Sequence, residues 1–156
     1  MNVYLILKWL HILSSTILFG TGIGIAFFKW ITDRSGDVRA IRIVSERTVL
    51  ADWLFTTPAV ILQPITGFGL VYLAGYPMLT GWIFYSFCLY ILAGCCWLPV
   101  VWLQIRMREI ARTADDKNTP LPQQYWTYAR IWFWLGIPAF GALILVYWLM
   151  VFKPVL

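Results

Sequence analysis

Residues 3–30 read VYLILKWLHILSSTILFGTGIGIAFFKW, and this stretch decides the fold. It is apolar almost throughout and is longer than the roughly 20 residues that a helix needs to cross about 30 Å of hydrocarbon. Because it is so long and has no small-residue cleavage pattern, we interpret it as a retained membrane-spanning helix rather than a signal peptide. It also contains His11, the only histidine in the chain.

The composition of the whole chain is that of an integral membrane protein. Of its 156 residues, 61% are hydrophobic and 12% are charged, whereas about a quarter of the residues in soluble domains are charged. Apolar runs predict four spanning helices in a single transmembrane domain over residues 1–156, with approximate bounds 3–30, 49–74, 82–104 and 128–152. The net charge of +5 does not indicate nucleic-acid binding, because the basic residues cluster between the apolar runs.

The distribution of the basic residues predicts the orientation of the helices. Two polar segments, 32–48 and 106–126, hold most of the Lys and Arg, and the connection between helices two and three has no charge. Since positive loops stay on the cytoplasmic side, both segments are predicted to be cytoplasmic loops of a bacterial inner-membrane protein. Both termini then lie on the outer, periplasmic side of an all-α, up-down four-helix bundle. Ile41, Ile43 and Val44 predict a short amphipathic helix on the membrane surface within the first loop.

Two sets of residues are predicted to hold the helices together. A four-residue spacing of small side chains is typical of close helix contacts in membranes, and it recurs at Thr16, Gly20 and Gly24. Polar side chains near the inner ends of helices two to four are expected to form a structural network, since partly buried charges at such positions are usually paired. These side chains are Asp52, Gln104, Arg106 and Arg130.

His11 is the candidate functional residue, because ionisable groups inside spanning helices are costly and usually face the bundle interior. We interpret it as an axial ligand to a haem iron or as a proton carrier; the alternative is a neutral histidine hydrogen-bonded to a neighbouring helix. Lys8 lies one turn nearer the outer end on the same face. Gln63 and Thr66 reach a similar depth on helix two, by the ~1.5 Å rise per residue. They either form a polar pocket with His11, or bridge helices and satisfy the carbonyls that Pro64 frees.

Several stretches resemble known membrane-protein families. The sequence LKWLHI at residues 7–12, with its glycine-rich continuation to Gly24, resembles the first helix of bacterial proteins related to HemJ, a haem-b-binding protoporphyrinogen oxidase, and to CopD, a copper-resistance protein. The rest of the chain more closely resembles the uncharacterised family DUF2269. The stretches that carry this second resemblance are QPITG at 63–67, WLPVVWLQIR at 97–106 and LGIPAF at 135–140. It covers essentially the whole chain.

The HemJ resemblance implies that His11 is the haem-ligand position. HemJ-like proteins also carry an arginine near the inner end of helix one, where this chain has Phe27, Phe28 and Lys29, and a lysine in a later helix, whereas helix three has none here. The resemblance therefore argues against protoporphyrinogen oxidase activity. A second haem ligand would have to be a lysine, a methionine, water or a residue of a partner subunit, because the chain has no second histidine.

Two hypotheses about function follow from these patterns. In the first, the protein holds haem b or passes electrons and protons through His11, with Lys8 paired to a haem propionate and with Gln63 and Thr66 lining the pocket. In the second, it is a non-enzymatic membrane subunit or a small metal or solute carrier, alone as a homo-oligomer or with a partner subunit in the lipid bilayer. The sequence predicts no catalytic reaction, because it shows no nucleophile, base and orienting group in a recognisable set.

Overall fold

A computed structural model describes residues 2–155, which form four long helical rods. The first rod is α1, Val3–Ser35. The second runs without a break over Val38–Leu73 and comprises α2 (Val38–Ala51), a π-helical segment (Asp52–Thr56) and α3 (Thr57–Leu73). The third and fourth are α4, Gly81–Asp116, and α5, Gln123–Phe152. All four are long and apolar enough to cross a membrane, which confirms the predicted all-α fold with four spanning helices; no strand occurs in residues 2–155.

Successive rods run in opposite directions. Near the start of α1, Leu7 packs on Gly69 and His11 on Gly67, so α1 and α3 are antiparallel. The Lys153 ammonium lies 5.7 Å from the Trp82 ring, which places the end of α5 beside the start of α4. We call this end, with both termini, the termini end of the bundle. The opposite end, which we call the basic end, carries ten of the twelve Lys and Arg and all seven Asp and Glu.

At the basic end the helices extend well beyond the apolar runs. The four rods have 30 to 36 residues, which is about 45 to 54 Å at the usual rise and more than the hydrocarbon thickness. Non-helical connections are confined there to residues 36–37 and 117–122. Most of the two connecting segments 32–48 and 106–126 is therefore helical, because charged residues at amphipathic spacing continue the spanning helices into the polar region. Their cytoplasmic position stays a prediction.

The segment predicted as a surface helix stands upright in the bundle. α2 continues into α3, and its buried side follows a helical spacing through Ile41, Ser45, Thr48 and Val49. Ile41 is completely buried and belongs to the core of the basic end. The other buried members of this core come from α4 and α5, and they are Leu103, Met107, Ala111, Tyr125 and Trp132. The prediction that this helix lies on the membrane surface was wrong, because its buried side packs against other helices of the chain.

Two ion pairs hold the basic end together, one buried and one partly exposed. Lys29 is 1% exposed, and its ammonium donates to both oxygens of Asp33 (2.7 and 2.8 Å) and to the Tyr125 hydroxyl. The Tyr125 hydroxyl in turn donates to Asp33 (2.7 Å), so α1 is joined to α5. The partly exposed pair joins α2 to α4, with Arg42 donating to Asp115 at 2.7 Å. The buried ammonium of Lys29 thus has a counter-charge, as a charge removed from water requires.

The small-residue stripe predicted on helix one does not pack within the chain. A Cβ atom built on Gly20 or Gly24 would have no described atom within 4 Å. Gly22, which lies between them, is the close contact: a Cβ there would come within 2.9 Å of the Phe140 ring of α5. The face of α1 that approaches another helix is therefore rotated away from the stripe.

Candidate functional site

The structure brings His11, Gln63 and Thr66 together at the interface between α1 and α3. His11 Nδ1 is 2.8 Å from Thr66 Oγ1. The Gln63 amide donates to the His11 carbonyl and to the Ser14 hydroxyl, both at 2.7 Å. Gln63 and Thr66 are 8% and 2% exposed, whereas His11 is only half-buried. We call these four side chains the polar seam. Their common depth follows from the regular rise of two antiparallel helices.

The contacts of Thr66 show how His11 can present a lone pair. Thr66 Oγ1 lies 2.7 Å from the Leu62 carbonyl and 2.8 Å from His11 Nδ1, and its single proton can serve only one of them. When Thr66 donates to the carbonyl, its oxygen accepts from the imidazole, so Nδ1 carries the ring proton and Nε2 carries the lone pair. This is the form in which a neutral histidine binds a metal ion or takes up a proton. Gly67 makes room for the ring, since a Cβ at this position would lie 3.3 Å from His11 Cε1.

Lys8 is not part of the polar seam. Its side chain is exposed, and it forms no hydrogen bond or ion pair with residues 2–155. The pairing of Lys8 with a haem propionate stays a prediction. No group of three or more His, Cys, Asp or Glu gathers at metal-binding distance in this described range. Within residues 2–155, His11 is the one member of the polar seam that has a nitrogen lone pair available to bind a metal ion.

The carbonyl that Pro64 frees is satisfied by a different helix. Pro64 has no N–H, so the Val60 carbonyl loses its normal helical donor. The Tyr90 hydroxyl of α4 donates to this carbonyl at 2.6 Å. Gln63 and Thr66 are therefore not needed for that task. Of the alternatives left open by the sequence, the structure supports a polar cluster with His11 that also bridges α1 and α3.

A large cavity lies between the helices, towards the basic end from the polar seam. It is open on one side of the bundle, where its lining residues Phe133, Ile137 and Ile144 are exposed. Its volume is about 470 Å³. It separates the α1–α3 pair from the α4–α5 pair, each of which is closely packed. Most of its wall is apolar, with glycine and alanine prominent among the residues from α1, α4 and α5. These small residues are Gly22, Ala26, Ala93, Gly94, Gly136, Ala139 and Gly141.

Two residues of the cavity wall have polar atoms without a well-formed hydrogen bond. Thr56 is 4% exposed, and its hydroxyl has no hydrogen bond of good geometry with a described residue, although it lies beside the Asp52 carboxylate. The indole N–H of Trp97 is likewise buried and unpaired. Burying such a group without a partner costs about 1–3 kcal/mol, so native proteins rarely leave one unpaired. Both residues line the cavity, with the two polar atoms just beneath its surface.

The charged group of the wall is Asp52, which is 4% exposed. With its amide oriented to satisfy both neighbours, Gln104 donates to Asp52 Oδ2 and accepts from Trp132 Nε1 at 3.2 Å. This confirms the predicted link between Asp52 and Gln104, with Trp132 as an unpredicted third member. The predicted inclusion of Arg106 and Arg130 was wrong. Arg106 pairs with Glu109 at 3.1 Å, and Arg130 is exposed without an ion pair in residues 2–155.

Asp52 and Thr56 face inward together because residues four positions apart lie on the same face of a helix, and a π-helical segment spans this pair. Pro58 cannot donate to the Leu54 carbonyl, and directly before it the hydrogen bonding widens, with Thr57 N–H donating to the Asp52 carbonyl. Such π turns frequently occur at functional sites. The intervening side chains are half-exposed on the outside of the bundle, and they are Trp53, Leu54 and Phe55. A polar pair just before a proline, inside an apolar run, was the sequence signal for this site.

The polar seam and the cavity are separate sites. On α1 the cavity begins at Leu18, about one turn beyond Ser14, and on α3 it begins at Val60, about one turn from Gln63. None of the four residues of the polar seam lines it. Sequence reasoning found the seam but missed Thr56 and Trp97.

The chain matches the model of a known protein family. The model of the family described as "Predicted integral membrane protein (DUF2269)" matches residues 5–154. The chain belongs to the DUF2269 family. No curated protein and no solved structure matches it. The family description agrees with the four spanning helices and assigns no reaction, so the function of this DUF2269 protein has to be argued from its own geometry.

Proposed function

We propose that this DUF2269 protein binds a small, membrane-soluble molecule in the cavity between its helices. This develops the solute-carrier alternative drawn from the sequence. The observation that carries it is a cavity of about 470 Å³ whose mostly apolar wall includes a small group of polar residues, Asp52, Thr56 and Gln104. Small-molecule sites are typically mostly apolar spaces of about 300–1,000 Å³ with a few polar groups that fix the ligand. The expected ligand is largely apolar and has a polar head that lies at this polar group.

The glycines of the wall support this proposal. Glycine in a helix interior costs about 1 kcal/mol relative to alanine, and a close helix contact is the usual compensation in membranes. Gly94 and Gly136 have no such contact, since a Cβ on either would meet no described atom within 4 Å. They keep space open in the cavity instead.

Filling the cavity tests the proposal. The probe is Prodan, a neutral naphthalene ketone, added to the purified full chain in a non-ionic detergent and detected as a bound species by native mass spectrometry. Gly94→Leu is expected to abolish binding, because the new side chain occupies the cavity. Gly20→Leu is the matched control, since Gly20 is exposed to lipid and does not line the cavity. Equal Prodan binding by wild type and Gly94→Leu would contradict the proposal.

Haem b at His11 is the second candidate. It is favoured by one observation: Thr66 Oγ1 lies 2.8 Å from His11 Nδ1, where it can accept the ring proton and leave the Nε2 lone pair free. The fit is partial, because the chain supplies one axial ligand and the central cavity does not extend to His11. We derive no reaction step from it. Protein expressed with ample haem should show a Soret band that is lost in His11→Ala; absence of the band from the wild type would exclude this candidate.

We also propose an orientation, in which the basic end lies on the cytoplasmic side of a bacterial inner membrane. The ten basic residues at that end support this orientation. A remote relationship to the HemJ and CopD proteins is proposed on the LKWLHI stretch alone. Single cysteines in the 117–122 connection and in the 74–80 turn, in a variant without Cys88, Cys95 and Cys96, test the orientation. A membrane-impermeant maleimide applied to intact cells should label the 74–80 turn only.

A further inference from the structure

Asp52 is a buried carboxylate without a counter-charge. No Lys, Arg or His forms an ion pair with it among residues 2–155, and it is the sole charged side chain in the cavity wall. Its polar neighbours are neutral: the Gln104 amide donates to it, and the Thr56 hydroxyl lies beside it. The low exposure of Asp52 makes this costly, because a carboxylate removed from water needs either a proton or a positive neighbour.

The chain pairs carboxylates that are less buried than Asp52, so the exception at Asp52 is informative. Asp33 is matched by Lys29 and Asp115 by Arg42, although both keep more exposure than Asp52. Basic side chains are abundant at this end of the bundle, yet none lines the cavity. Asp52 is neutral when it holds a proton, and a positively charged occupant of the cavity stabilises the ionised form instead. We therefore expect the counter-charge to come from the occupant of the cavity.

The rest of the wall suits an organic cation. Aromatic rings attract positive charge at their faces, and five aromatic residues line the cavity. They are Tyr90, Trp97, Trp132, Phe133 and Phe140. An inorganic ion is a poor match, since Ca²⁺ or Mg²⁺ takes about six or more oxygen ligands and the wall is mostly apolar. An anion is repelled by the carboxylate.

We propose that the ligand of this cavity is a lipophilic organic cation, held with its positive charge at Asp52 and its apolar body among the aromatic side chains. This inference rests on the proposed function and specifies the ligand class of the same site. The ammonium or similar group lies near the basic end of the cavity. The apolar part points towards the middle of the membrane.

A pair of ligands of equal shape tests the charge. One is (naphthylmethyl)trimethylammonium and the other is neopentylnaphthalene, its neutral carbon analogue; each is titrated against Prodan bound to the full chain. The cation is expected to bind wild type at least about tenfold more tightly than the neutral analogue, because only the cation interacts with the carboxylate. Asp52→Asn should remove this preference by weakening the cation about tenfold. Asp52→Glu should retain it.

The outcomes separate the two proposals. Equal affinity of the two ligands for wild type, or an unchanged cation affinity in Asp52→Asn, overturns the cation assignment. If Gly94→Leu then still excludes both ligands while Gly20→Leu admits them, the cavity remains the binding site and only the ligand class is wrong. Binding of both ligands by Gly94→Leu would instead refute the cavity itself. Neutral-ligand binding reports whether Asp52→Asn is folded, and if that variant does not fold, the wild-type comparison alone decides.

Discussion

The polar seam and the cavity wall each bury polar side chains within the same bundle. Gln63 and Thr56 lie roughly 10 Å apart along the second rod at the usual helical rise, but the two regions differ in how their polar groups are satisfied. In the seam, Gln63 bonds to two groups of α1, and Thr66 bonds to both His11 and the Leu62 carbonyl. In the wall, Thr56 and Trp97 have unpaired polar atoms and Asp52 has no counter-charge.

This difference distinguishes polar groups that join the helices from polar groups that are available to bind a ligand. A hydrogen bond made within the chain contributes to folding, whereas an unpaired buried group lowers stability until something binds to it. Rarity of a residue type does not distinguish the two: the only histidine lies in the satisfied region, and a common threonine lies in the unsatisfied one. Variants in partnered regions are therefore expected to lose stability, and variants in the cavity wall to lose binding.

The largest loss of stability is expected where partnered groups are charged. Lys29→Met leaves Asp33 without its counter-charge, and breaking such a buried pair costs about 3 kcal/mol, the low end of the usual range because Asp33 keeps some exposure. The free energy of unfolding in mixed detergent micelles measures this cost. The double variant Lys29→Met/Asp33→Leu should recover part of it. A loss as large in the double variant as in the single one would show that packing, not charge, dominates.

A smaller loss is expected in the polar seam. Gln63→Met keeps the length of the side chain but removes two hydrogen bonds, and interhelical bonds in membranes average about 0.6 kcal/mol each, so about 1 kcal/mol is lost in the same unfolding measurement. Gln124→Met is the control, because Gln124 is exposed and makes a single, exposed hydrogen bond to the Tyr128 hydroxyl. Its stability should not change. Equal effects at the two glutamines would remove the distinction between the seam and the surface.

The parts of this structure that the sequence predicted are those governed by fixed geometry. Four spanning helices followed from the lengths of the apolar runs, and the proximity of His11 to Gln63 and Thr66 followed from equal depth on antiparallel helices. Helix ends at the basic end were not predicted, since Arg and Asp were assigned to loops although their spacing also suits a helix. Ile41 shows this most clearly: it is completely buried in a segment that was expected on the surface.

Hydropathy and residue spacing did not predict the cavity. It exists because the α1–α3 and α4–α5 pairs are held together at the basic end but stand apart beside Gly94 and Gly136. This arrangement depends on contacts between residues that are far apart in the sequence, such as Gly22 and Phe140. Glycine in an apolar helix is equally consistent with close packing and with open space, so the pattern alone does not choose between them.

Tyr90 tests whether a partnered group at the edge of the cavity behaves like the polar seam. Its hydroxyl satisfies the Val60 carbonyl freed by Pro64, so Tyr90→Phe should cost about 1 kcal/mol of unfolding free energy. Pro64→Ala restores a backbone donor to that carbonyl, and Tyr90→Phe should then cost less. A double-mutant cycle measures the difference, expected at about 0.5–1 kcal/mol. Full additivity of the two substitutions would contradict this coupling.

The smallest effect on stability is expected at Thr56, and the same substitution at two threonines gives the sharpest contrast between the regions. Thr66→Val removes a hydroxyl with partners on both α1 and α3 and should cost about 1 kcal/mol of unfolding free energy. Thr56→Val removes a hydroxyl without partners, so stability should stay within about 0.5 kcal/mol of wild type or rise, because a buried unpaired group is lost. Prodan binding should respond in the opposite order, weakened in Thr56→Val and unchanged in Thr66→Val. If Thr56→Val were the more destabilising variant, Thr56 would have to be a structural group, and the contrast between a satisfied seam and a cavity that needs a ligand would not hold.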